Sequence, residues 1–334
     1  MNKKATDLLI IGAGPVGLFA SYQAGFLGMK TIIVDALDEI GGQLNALYPG
    51  KYIYDVAGLP KILAKDLIAN LIEQSGQYNK NYLLSSQVTE LYTNEDKSFD
   101  VKTSKNDIIN CKAIIIAAGA GAFGPNRPLI EGINDYEGKS VHYLVKNPQD
   151  FSGKNVVIAG GGDSAVDWAI TLADIAKKIY IIHRRNNFKA AASSMATLNE
   201  LAKTDKLELV IPYNLDGITG QKGILNTVRV KSLENEVKDL PADHLLAFFG
   251  LSRSLGALDQ WGFKIDQLHS TIEVKESSFE TQIPGIFAVG DVAKYNHKLK
   301  LITLGFGEAA SAVHCTWKYV FKDKVFHFVH STAK

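Results

Sequence analysis

Two glycine-rich turns, each set between a short apolar strand and a helix, fix what this chain can fold into. The first lies in residues 7–35, which run from Asp7-Leu-Leu-Ile-Ile into Gly12-Ala-Gly-Pro-Val-Gly17 and close on Thr31-Ile-Ile-Val-Asp35. Leu8 to Ile11 is short and wholly apolar, as a strand buried on both faces should be. Gly12 allows a tight turn, Gly14 lets the backbone approach a pyrophosphate, and Gly17 lets the next helix pack against the strand. The helix start offers unpaired N–H groups and the positive end of its dipole to that anion. Asp35 ends the second strand about twenty residues beyond the glycines, where a carboxylate bonds a ribose hydroxyl. Strand, turn, helix, strand and acid fall in order, which argues against a glycine turn without a ligand.

The pattern then repeats. Val156-Val-Ile-Ala159 is a second buried strand, and Gly160, Gly162 and Ala165 make G-x-G-x-x-A. A helix is predicted over 164–177 and a strand over 179–182, ending in His183-Arg184-Arg185 with Lys189 shortly after. An internal duplication of a dinucleotide-binding βαβ unit implies two dinucleotides. The strand ends differ in charge. A carboxylate suits a free ribose hydroxyl, whereas arginines suit a 2′-phosphate through charge-assisted bonds. The plainer alternative for Arg184, Arg185 and Lys189 is a solvated basic strand end.

The bulk properties narrow the class. A chain of 334 residues, 46% hydrophobic and 21% charged, suggests a globular protein of two ordinary domains. A net charge of +1 gives no reason to expect nucleic acid or an anionic membrane as partner. No apolar run reaches the length that spans a bilayer. The N-terminus enters a strand directly, so no signal peptide is expected. Cys111 and Cys315 are far apart, with no C-x-x-C and no metal-ligand cluster. A cytoplasmic protein without structural disulfides is the simplest expectation.

Between the motifs, residues 38–52 read as a loop over a cofactor, with Gly41 and Gly42 permitting close backbone approach. A helix is predicted over 60–75, antiparallel strands over 82–103, and a buried strand over 113–119. Near the C-terminus, residues 281–291 read as turn, strand and a Gly290-Asp291 ending, followed by a helix from about Lys300 whose small residues permit tight packing. Residues 325–334 are more apolar and aromatic than a frayed terminus should be.

Gly12–Gly17, Gly160–Ala165, His183-Arg184-Arg185 and Gly290-Asp291 together resemble the two-dinucleotide flavoproteins that include thioredoxin reductase. That resemblance implies an α/β fold of two Rossmann-like dinucleotide-binding domains. An FAD domain would comprise residues 1–121 and 249–334, and an NADPH domain residues 122–248. Thioredoxin reductases carry a redox C-x-x-C just before the second glycine motif, and here Ser140-Val-His-Tyr-Leu-Val-Lys146 has no cysteine. With Gly41-Gly-Gln-Leu-Asn-Ala-Leu-Tyr48 and a tail carrying His330-Ser-Thr332, the chain is similar to the thioredoxin-reductase-like ferredoxin–NADP⁺ reductases.

By that resemblance Asp35, Gln43, Tyr48, Val88, Phe123, Asp291 and Thr332 would contact FAD. Tyr48 and His330 would cover the two faces of its ring, His330 acting across a homodimer. Hydride would pass from NADPH to FAD, and single electrons to ferredoxin or flavodoxin. Several of these residues have plainer alternatives: Phe123 as hinge packing, Val88 as core, Tyr48 as surface packing, and the tail as packing on its own domain. His142 and His183 have no partner near in sequence and read as structural. Cys111 and Cys315 read as inert buried thiols rather than a redox pair. An NAD(P)H oxidase, a reductase of a separate disulfide protein and a non-catalytic flavin-binding regulator are the competing functions.

Overall fold

The computed structural model describes residues 2–78, 81–145, 147–266 and 268–327. The chain divides into two compact units, one of Met1–Phe123 with Arg253–Lys334 and one of Gly124–Ser252.

The first unit is built on Lys3–Ile11. This strand pairs in parallel with Thr31–Val34 on one side and with Ile108–Ile116 on the other. Tyr82–Leu83 extends the parallel sheet past Thr31–Val34. Phe99–Thr103 and Val88–Thr93 continue it antiparallel beyond Ile108–Ile116. Ile286–Ala288, from the far end of the chain, pairs in parallel with Ile114–Ile116. Alternation along the strands explains how both faces are buried. Leu8, Ile10, Ile33 and Ile115 face one core together with the helices Pro15–Phe26, Ala64–Gly76 and Ile302–Val320. Leu9, Ile11, Ile32, Ile114 and Ile116 face a second core with Phe99, Leu258 and Trp261.

The second unit repeats the plan. Its parallel sheet runs Val141–His142, His244–Ala247, Asn155–Ala159, Lys178–Ile182 and Leu207–Val210 across its width. Val156, Ile158, Ile179 and Ile181 pack on the helices Asp163–Leu172 and Ala192–Leu201. On the other face Val157, Tyr180 and Ile182 meet the antiparallel strands Tyr213–Gln221, Ile224–Ser232 and Val237–Pro241.

Four local expectations change. The helix predicted over 60–75 begins only at Ala64, because Ile62–Leu63 pairs with Tyr52–Ile53. That hairpin brings Lys51 and Pro49 carbonyls to the Ala64 and Lys65 N–H groups, which a helix start otherwise leaves unpaired. Tyr82–Leu83 is a parallel edge strand rather than part of an antiparallel meander. The helix predicted over 164–177 stops at Leu172, and the loop expected over 38–52 contains a short helix, Gln43–Leu47.

Candidate active site

In the first unit the opening strand delivers the chain to Gly12 at φ +111°, a conformation that L side chains rarely adopt. A Cβ there would lie 2.4 Å from the Ala117 carbonyl oxygen. At Gly17 a Cβ would lie 1.9 Å from the Gly12 carbonyl oxygen, so the helix Pro15–Phe26 packs this close only without a side chain. Its N-cap, Gly14, makes no side-chain cap, which leaves the first-turn N–H groups for an anion. The Asp35 carboxylate turns back over this loop. Oδ2 accepts the Ala13 N–H at 2.6 Å and Oδ1 the Leu37 N–H at 2.8 Å. Burial raises its pKa, against those backbone donors. Two N–H bonds leave lone pairs on the carboxylate for ribose hydroxyls.

The 41–48 loop seats on the same turn. Gly41 N–H donates to the Ala13 carbonyl at 2.9 Å, and a Cβ on Gly42 would lie 3.0 Å from the Gly14 Cα. Gln43 reaches Gly119, whose Cβ would lie 3.3 Å from Gln43 Nε2. Asn45 donates to the Ile40 carbonyl, and its buried Oδ1 has no partner among the described residues. Tyr48 is half-buried at the end of this short helix. Its phenol pKa is raised by burial and by the Asp291 and Asp55 carboxylates, so Asp291 lies close enough to act on it. Gly290 abuts Val16, 3.3 Å from where its Cβ would be, which brings the Gly290–Val292 turn to the start of the first helix. Ser86 N–H donates to the Asp35 carbonyl, tying the segment that leads to Val88 to the same strand end. The Val88 side chain is buried in the second core.

In the second unit the strand Asn155–Ala159 ends at Gly160, and the helix beginning at Asp163 again has an N-cap, Gly162, without a side-chain cap. A Cβ on Gly160 would lie 2.6 Å from the Phe248 carbonyl oxygen. The segment after Lys178–Ile182 folds back over this turn. Lys189 N–H donates to the Gly161 carbonyl at 2.7 Å, and Ala191 N–H to Asp163 Oδ1 at 3.1 Å. Arg184, Arg185 and Lys189 are exposed and make no ion pair among the described residues. The His183 pKa is lowered by burial and then by both arginines, a measure of the positive potential at this strand end.

His330 and Thr332 lie outside the described residues, as does the Phe123 side chain. The root of the tail packs on its own unit: the Phe326 ring centroid stands 5.3 Å from that of His314 and 5.2 Å from that of Trp317.

A model of the pyridine nucleotide-disulphide oxidoreductases matches residues 6–313. The chain belongs to that family. Proteins named ferredoxin–NADP reductase from Rickettsia rickettsii (strain Sheila Smith) and Rickettsia prowazekii (strain Madrid E) are each 52% identical to it over 329 residues. The alignments cover 98% of this chain and 96% and 98% of theirs. A solved thioredoxin reductase of Lactococcus lactis superposes with a TM-score of 0.77 at 26% identity, covering 95% of this chain and 99% of that one. That of T. acidophilum also gives 0.77, at 23% identity over 94% and 98%, and shows the shared fold alone.

Membership of this oxidoreductase family implies FAD and NADPH, and the residues fit both. The first glycine turn, uncapped helix and Asp35 suit FAD. The second turn with Arg184, Arg185 and Lys189 suits a dinucleotide bearing a 2′-phosphate. The stretch where thioredoxin reductases carry their dithiol is structural here. Ser140 Oγ donates to the Gly223 carbonyl at 2.8 Å and accepts the Leu225 N–H at 3.2 Å. Cys111 is fully buried, and burial raises its thiol pKa. Burial also raises that of Cys315, a free thiol in the last helix.

Sequence reasoning missed three features. His142 is not isolated: its Nε2 lies 3.1 Å from His244 Nδ1. Gly161, between the two motif glycines, lies directly under the His183 ring. Glu308 is a buried acid bonded to Gly290, and its signal was a carboxylate set among the small residues Gly305, Gly307, Ala309 and Ala310 of the last helix.

Proposed function

We propose that this chain is an FAD-dependent ferredoxin–NADP reductase that takes reducing equivalents from NADPH and hands single electrons to ferredoxin or flavodoxin. One observation supports it most. A carboxylate-ended and an arginine-ended dinucleotide site occur in one chain with no dithiol at 140–146 to receive electrons, and relatives 52% identical carry that name. When bound, FAD supplies the chemistry, since it accepts a hydride from nicotinamide and releases electrons singly. The chain's own residues bind and shield. Asp35 holds the ribose, the first helix start the pyrophosphate, and Asp291 the segment between pyrophosphate and ring. Tyr48 excludes water from one ring face. Arg184, Arg185 and Lys189 select NADPH over NADH.

The same reading takes the enzyme to be a cytoplasmic homodimer in which His330 of one copy covers the flavin of the other and Thr332 contacts it. The apolar tail supports this, and no helix among the described residues is long and apolar enough to cross a membrane.

The deciding experiment is anaerobic turnover of the purified holoprotein with NADPH and a panel of ferredoxin, flavodoxin, thioredoxin and dioxygen. Ferredoxin or flavodoxin should be reduced at least about tenfold faster than the others. Preferential reduction of thioredoxin or dioxygen would replace this reading with a disulfide reductase or an oxidase. Sedimentation of the same sample reports the dimer.

A further inference from the structure

Glu308 sits in the last helix, Ile302–Val320, and is 3% exposed. Its carboxylate gathers three donors. Oε2 accepts the Gly290 N–H at 2.7 Å, and Oε1 accepts the Tyr295 hydroxyl at 2.6 Å and the Lys298 ammonium. The Lys298 side chain is itself 7% exposed, so this is an interior ion pair. Such a pair is weak evidence of stability, because desolvation offsets the attraction and apolar side chains of similar volume often do as well. What it supplies is direction.

The direction runs to the cofactor site. Gly290 has φ +74° and is bonded by its N–H to Glu308, and the next residue is Asp291. One helical turn before Glu308, a Cβ on Gly305 would lie 2.5 Å from Val16 Cγ2. Gly290 meets the same Val16, two residues past Gly14 of the glycine turn. Gly305 therefore sets how close the last helix comes to that turn, and Glu308 sets how the Gly290–Asp291 peptide is presented to it.

We propose that Glu308 is a positioning residue for FAD, aiming Asp291 through the Gly290 N–H while Tyr295 and Lys298 hold its carboxylate. The proposal rests on the reading of the first unit as the FAD site.

A double-mutant cycle tests it, on the full-length protein stripped of flavin and titrated with FAD. Glu308→Gln keeps the volume but turns an amide N–H₂ toward at least one of the three donors, the Gly290 N–H or the Tyr295–Lys298 pair. It should weaken FAD binding about tenfold, the loss expected for one charge-assisted bond, and shift the visible spectrum of the bound flavin. In an Asp291→Asn background the same substitution should change the dissociation constant less than about threefold, because the group being aimed is gone. Wild-type affinity and spectrum in Glu308→Gln would overturn the proposal. So would equal losses in both backgrounds, which would make Glu308 a stabilising residue only. If Glu308→Gln does not fold, Tyr295→Phe removes one donor and runs the same cycle. Failure of the underlying reading looks different: a wild-type protein that binds no FAD, or an Asp291→Asn variant that binds it as tightly as wild type, overturns both.

Discussion

A methyl group added at Gly161 should act on NADPH and leave FAD alone. The Cβ would lie 2.2 Å from His183 Cε1 and 2.4 Å from each ring nitrogen. Carbon atoms in contact sit about 3.5–4.0 Å apart, so the imidazole must retreat by more than about 1 Å. The backbone at this point cannot follow easily, since the His183 carbonyl accepts the Tyr213 N–H at 3.0 Å and the Gly160 N–H is held by the Ile182 carbonyl at 3.1 Å. The Phe188 ring, 5.2 Å away between centroids, restricts the side chain as well. Overpacking of this kind costs about 1–3 kcal/mol. Felt at the proposed nucleotide site beside Arg184 and Arg185, it should raise the KM for NADPH about tenfold, at roughly 1.4 kcal/mol per factor of ten. Steady-state kinetics with saturating acceptor measure this, and the absorbance ratio of flavin to protein checks that FAD content is unchanged. Added to His183→Ala, where the ring is gone, Gly161→Ala should cost less than about threefold. An unchanged KM in the single variant, or an equal loss in both backgrounds, would refute the reasoning.

Arg184→Ala should raise the NADPH KM about tenfold or more, the loss of a charged bond to phosphate of about 1.5–3 kcal/mol. It should barely alter the KM for NADH, and equal effects on the two nucleotides would remove Arg184 from the 2′-phosphate site. Cys111→Ala with Cys315→Ala should leave NADPH-to-carrier turnover within about twofold, and lost turnover in a folded, flavin-loaded variant would reveal a redox role. The His142–His244 pair should make stability pH-dependent. Burial holds both pKa values below the ordinary imidazole range, with Asp150, Asp243 and Lys154 nearby modulating them. The unfolded chain therefore takes up protons first. The pair's contribution is full above about pH 6.5 and is lost as pH falls through that value toward the folded pKa values. Calorimetric melting between about pH 7.5 and pH 5.5 should show a steeper fall for the wild type than for His142→Gln/His244→Gln, and parallel curves would contradict it.

The two glycine turns were legible because their constraints are local. Gly12 needs a positive φ and Gly17 needs close packing, and each demand is written within a few residues. Asp35 and Arg184 were legible for the same reason, since a strand end places its next side chain predictably. What escaped is what the fold joins across long separations. His142 meets His244 only because Val141–His142 and His244–Ala247 are neighbouring strands. Glu308 meets Gly290 only because the last helix returns to the first glycine turn. The Gly161 contact depends on how the segment after Lys178–Ile182 folds back, which its sequence does not announce. The hairpin of Tyr52–Ile53 with Ile62–Leu63 took two residues from a helix whose apolar spacing ran through them, a case of pairing overriding periodicity.

The parallel pairing of Ile286–Ala288 with Ile114–Ile116 also sets a timetable for synthesis. The unit of Gly124–Ser252 is continuous and can close as soon as it leaves the ribosome, whereas the unit begun at Met1 must wait for residues beyond 286. At about 5–20 residues per second the wait is roughly 10–30 s. Throughout it, Ile114–Ile116 presents an unpaired apolar strand edge, the kind of surface on which chains mispair and aggregate. Nascent chains paused or truncated between residues 252 and 286 should therefore be the ones that depend most on chaperones, since they hold the whole of the unit Gly124–Ser252 but not the strand that completes the first sheet.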